Sequence, residues 1–103
     1  MKLKRIKKLR VNSYNFNVVW DKKLSGGSFD YTKLEIRIGM KDADDAEQFM
    51  VLLHELGELA AEEVRVRFRR SDCDGDFIFC YDHRQHDIKS NLTASWLMQF
   101  IGD

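Results

Sequence analysis

The sequence predicts an α+β fold: a small antiparallel sheet packed on a central helix that carries a His-Glu motif, with a second helix at the C-terminus. Three observations carry this expectation. Apolar residues alternate with polar ones through Tyr14, Phe16, Val18 and Trp20, the period of a half-buried strand. After Asp44 the spacing becomes helical, with Phe49, Leu53, Leu56 and Ala60 on one face and Met50, Gly57, Ala61 and Val64 beside it. Strand alternation then returns at Val64, Val66 and Phe68 and at Phe77, Phe79 and Tyr81, ahead of a last helical stripe. Strands and helices in separate blocks of one short chain belong to the α+β class.

The elements follow in order. Lys2, Lys4, Arg5, Lys7, Lys8 and Arg10 form a basic cluster, and residues 1–10 read as a flexible arm that can pair with the acidic helix. A strand runs from Tyr14 to Trp20. Ser25-Gly26-Gly27-Ser28 has turn chemistry, and a second strand passes through Tyr31, Leu34, Ile36 and Ile38, so the two are expected to pair as a hairpin. Asp44 with Glu47 three residues on has capping-box spacing, and the helix should run to about Glu63. Gly57 inside it costs about 1 kcal/mol against alanine, and the usual compensation is close approach by another backbone. The next two strands are joined through Asp74-Gly75, a strong two-residue turn signal. That turn sets Cys73 opposite Asp76, which argues against a disulfide with Cys80. The final helix is expected from about Gln85 to Ile101, on a stripe through Ile88, Leu92, Ser95 or Trp96, and Gln99 or Phe100, continued by Leu97 and Ile101.

The bulk numbers narrow the function classes. The chain has 103 residues, 44% of them hydrophobic, which suits one domain with one core. The formal net charge is zero, so no global field draws the protein to nucleic acid or to a membrane, and self-association is open to it. No helix-turn-helix or RNA-binding motif accompanies the basic arm, which argues against nucleic-acid binding through it. No apolar run is long enough to span a bilayer. Two cysteines and no signal-peptide pattern predict a cytoplasmic protein with free thiols, read as small buried hydrophobes. Asp72, Asp74 and Asp76 do not make a calcium loop: Phe77 stands where the EF-hand pattern has glycine, and His83 where it has glutamate.

The chemistry concentrates in Phe49–Val64, where His54, Glu55 and Glu58 interrupt an apolar run. Burying such groups is costly without a partner or a metal. Side chains four residues apart on a helix share a face, so His54 and Glu58 can converge on one ion, and zinc accepts imidazole and carboxylate together. The remaining histidines lie in Asp82-His83-Arg84-Gln85-His86-Asp87. His83 is the expected third ligand, with His86 and Asp87 as substitutes. Two histidines and one glutamate leave a position for water, and Glu55 would stand beside it as general base. The competing reading is an amphipathic helix whose polar face begins at His54 and continues through Glu62 and Glu63, with His83 and His86 in a solvated turn capped by Asp82.

HELGE on a buried helix preceded by strands resembles the zincin metallopeptidase helix in minimal form. Glu58 stands where that pattern has a second histidine, and Glu55 matches the catalytic base position. From Tyr14 to Ile101 the chain also resembles small phage- and prophage-encoded proteins of HExxE type, through His54, Glu55, Glu58, Phe79-Cys80-Tyr81-Asp82-His83 and Leu92-Thr93. The resemblance implies a zinc site and, with Glu55, a metal-dependent hydrolase acting on a peptide or protein substrate. The alternative is a non-catalytic accessory or protein-binding module of the same phage type.

Overall fold

A computed structural model describes residues 2–65, 67–69, 77–80 and 82–102. The chain folds as α+β, as its periodicities predict. The order is β1 (Lys2–Leu3), β2 (Lys8–Val11), β3 (Tyr14–Asp21), β4 (Gly27–Asp30), β5 (Glu35–Gly39), α1 (Asp45–Val64), β6 (Arg67–Arg69), β7 (Phe77–Phe79), α2 (His83–Leu97), a 3₁₀ turn (Met98–Phe100) and β8 (Ile101–Gly102).

The main sheet has four strands in the order β2-β3-β5-β4, and it is mixed. The two strands expected to form a hairpin, β3 and β5, instead run parallel, with Val18 opposite Ile36 and Trp20 opposite Ile38. The glycine-containing stretch taken as their turn supplies a further strand, β4, which pairs antiparallel with β5. The turn of that hairpin lies at residues 31–34 and ends on Leu34, at φ 52°. The chain leaves β3, crosses over the slot beside it, and comes back as β5 to fill the slot. The crossing segment lies against the end of β5: Gly39 N donates to Gly26 O at 2.7 Å and Lys41 N to Leu24 O at 3.1 Å. A Cβ on Gly39 would sit 2.4 Å from both of those carbonyl oxygens, so this crossing requires a glycine.

The basic N-terminal residues are part of the fold rather than a flexible arm. β2 pairs with β3 around a tight turn at Asn12 (φ 54°), and β1 pairs with β8. Leu3, Leu9 and Val11 are buried. Arg5 does pair with the acidic helix: its guanidinium reaches Asp45 at 2.7 Å, donates to the buried Gln48 and lies 5.8 Å over the Trp20 ring.

The Asp44–Glu47 capping box forms as expected and starts α1. The buried face of α1, however, is Gln48, Leu52, Glu55, Leu56, Leu59, Ala60 and Ala61. Leu56 and Ala60 are shared with the expected face, but the rest of it turns away from Phe49 and Leu53 toward Leu52, Glu55 and Leu59. Leu53 and Met50 are exposed. The helix packs on β4 and β5 on one side and on α2 on the other. Its leucines meet Phe16, Ile36 and Ile38 from the sheet and Trp96 and Phe100 from the C-terminal segment. α2 begins two residues earlier than expected, ends at Leu97, and gives way to the 3₁₀ turn and β8. Ile88, expected on its apolar stripe, is exposed.

β6 and β7 pair antiparallel, as expected, with Arg69 opposite Phe77. The Asp74-Gly75 turn expected between them lies outside the described residues. The expectations for Cys73 and for Asp72, Asp74 and Asp76 lie outside the described residues. Cys80 is free and exposed, not buried.

Candidate metal centre

α1 carries the candidate centre on the shoulder between its buried and exposed faces. His54 and Glu58 lie one helical turn apart, and His54 Nε2 is 2.7 Å from a Glu58 carboxylate oxygen. The imidazole is 69% exposed and the Glu58 side chain 21%. His54 is therefore not enclosed by the apolar run around it. The preceding Val51, Leu52 and Leu53 spread around the helix, and only Leu52 enters the core. Glu55, one residue on, turns inward and is 6% exposed. A ligand atom from each of His54, Glu55 and Glu58 lies within 4.8 Å of the others.

Glycine shapes the ground around these groups. At Gly27 in β4 an added Cβ would lie 2.9 Å from Arg37 O, 2.7 Å from Val51 Cγ1 and 3.1 Å from Glu55 Cγ. The missing side chain lets the edge strand come close to α1, and Glu55 is held between them. Gly57 differs from the expectation, because among the described residues no backbone of another element closes on it. Among the described residues of other elements, the atom within 4 Å of a Cβ built there is Lys89 Nζ, at 3.8 Å. The glycine instead leaves room in an open pocket of about 290 Å³ lined by Leu53, His54, Gly57, Glu58, Phe79 and Lys89. On the other side of His54 a second depression, of about 350 Å³, is lined by Gly26, Gly27, Met50, Val51, His54 and Glu55.

The Asp82–Asp87 string is placed elsewhere. Asp82 caps α2, accepting from Gln85 N, while Gln85 returns a bond to Asp82 N. This leaves His83 in the first turn with its side chain 90% exposed, 3.5 Å from Asp87. His86 and Asp87 are exposed as well. Among the described residues, His54, Glu55 and Glu58 form the group with metal-ligand spacing, and it includes none of His83, His86 and Asp87. The third donor that the structure brings up is Glu55.

A second polar cluster, which the spacing does not signal, sits where β2, β3 and the end of α1 meet. Tyr14 Oη is 2.7 Å from Tyr31 Oη and 3.2 Å from each carboxylate oxygen of Glu63, which also accepts from Asn12 Nδ2. Burial, and then the negative charge of Glu63, push the Tyr14 phenol above its ordinary pKa.

No family model, no curated protein and no solved structure matches this chain.

Proposed function

We propose that this protein binds zinc through His54, Glu55 and Glu58, and that the centre serves a zincin-like hydrolase, most simply a peptidase. The observation that carries the reading is the convergence of one imidazole and two carboxylates within 4.8 Å on one rigid helix. Tetrahedral zinc with bonds of about 2.0–2.1 Å sets its ligand atoms roughly 3.3 Å apart. The 2.7 Å His54–Glu58 contact has hydrogen-bond spacing, and a small side-chain rotation opens it to that distance. The donor types suit zinc, and three protein ligands would leave a position for water, whose pKa a bound zinc ion would lower toward neutral. The pocket beside His54 and Glu58 gives a substrate access. Inward-facing Glu55, held by the approach of β4, is either the third ligand or the base beside the water, and substitution separates the two roles.

Zinc titration of tag-free protein tests the reading. We expect uptake of about one equivalent, a rise in melting temperature that chelator reverses, and loss of both in His54→Ala and Glu58→Gln. Uptake below about a tenth of an equivalent contradicts it. Glu55→Gln is expected to weaken zinc binding, as for a ligand. Retained binding with lost hydrolysis would make Glu55 the base.

One observation favours a second reading, a protein-binding module of the accessory kind. Met50, Leu53 and Phe79 expose apolar surface around the same site. That reading requires a melting temperature indifferent to zinc and chelator.

A further inference from the structure

We infer that Lys89 makes the pocket beside the proposed zinc site selective for a ligand carrying a carboxylate next to an apolar group. The inference deepens the zinc reading and rests on it. Lys89 lies in the middle of α2 and is half-buried, where a lysine on an exposed helix face would extend into water. Its chain instead crosses toward α1, and its ammonium comes to rest over Gly57, 3.8 Å from where a Cβ would be. Gly57 adjoins Glu58 and lies one turn beyond His54. The ammonium thus forms one wall of the pocket whose other walls are the His54–Glu58 pair and the apolar surfaces of Leu53 and Phe79.

Glu58, the acid closest to the Lys89 ammonium in the pocket lining, pairs with His54. Among the described residues the Lys89 ammonium has no ion-pair or hydrogen-bond partner, while its backbone carbonyl accepts from the Thr93 hydroxyl. An unpaired ammonium held partly out of water gains by taking an anion. With zinc neutralising the glutamates, Lys89 and the ion together favour negative charge between them. Leu53 and Phe79 favour an apolar group beside it. At about 290 Å³ the open pocket takes a single side chain or the end of a peptide.

The test compares 3-phenylpropionate with its neutral amide, 3-phenylpropanamide, by calorimetric titration of zinc-free and zinc-loaded protein. We expect the carboxylate to bind at least about tenfold tighter than the amide in one or both forms. In Lys89→Met the difference should fall to within about twofold, with zinc uptake and melting temperature retained, and Lys89→Arg should restore part of it. Preference for the carboxylate that persists in Lys89→Met, or its absence from the unsubstituted protein in both forms, overturns the inference. A protein that takes up no zinc yet shows the Lys89-dependent preference overturns only the metal reading.

Discussion

His54 and Glu58 meet because an α-helix brings positions four apart onto one face, and that much is legible in the sequence alone. Which way the face points is not legible. Apolar residues surround His54 in sequence on every side of the helix, so periodicity leaves the buried face uncertain. The sheet decides it, by receiving Leu52, Leu56 and Leu59 and leaving Leu53 and Met50 outside. Glu55 turns inward with those leucines. Tyr14 shows a different limit. Its place in a strand is legible, but its meeting with Tyr31 and Glu63 depends on pairings far apart in sequence. Because the folded state raises the Tyr14 pKa, it holds the phenolic proton more tightly than the unfolded chain does. The contribution is fully present below the unfolded phenol's pKa, about 10, and is lost as pH rises through the higher folded value. Tyr14→Phe should therefore flatten the alkaline fall in stability, read as urea midpoints between about pH 9 and 11.5. Equal slopes for both proteins would show that the phenol is not perturbed.

At the scale of elements, the start of α1 is legible, because Asp44 with Glu47 is a local signal that works through hydrogen bonds three residues long; Asp82 with Gln85 forms the same box and starts α2 ahead of where its apolar stripe places it. The strand order is not. A run of two strands with glycines between them reads as a hairpin, and nothing local says that the glycines belong to a third strand. The deciding residue is Gly39, whose bare Cα admits the crossing segment. Gly39→Ala forces two backbone carbonyls away from a methyl group, with an expected loss on the order of 1–3 kcal/mol or more. Gly26→Ala is the comparison: at φ 78° with nothing near its Cβ position, it carries only the left-handed backbone cost, about 1–2 kcal/mol. Urea midpoints should rank Gly39→Ala well below Gly26→Ala, and a tolerated Gly39→Ala would contradict the crossing. The Asp82 cap also accounts for the exposure of the expected third ligand and its substitutes. Once Asp82 and Gln85 start α2, His83, His86 and Asp87 fall in its first two turns and are exposed.

Over the whole molecule, α1 is the piece on which everything else is assembled. The sheet covers one flank, α2 the other, and the basic N-terminal segment closes over the first turn through Arg5, Asp45 and Gln48. This leaves the shoulder with His54, Glu55 and Glu58 open between β4 and α2, with a depression on either side of His54. The class of fold and the helix bearing the site follow from hydrophobic period. The inward turn of Glu55 and the approach of Lys89 to Gly57 follow from how the layers meet, which the sequence does not display. The most direct test of this arrangement is X-ray absorption at the zinc edge of the zinc-loaded protein. The expected spectrum has one imidazole per zinc with oxygen donors and no sulfur, loses the imidazole signal in His54→Ala, and is unchanged in His83→Ala and His86→Ala. Two imidazoles on the zinc, or a spectrum that survives His54→Ala, would contradict a centre built from His54, Glu55 and Glu58.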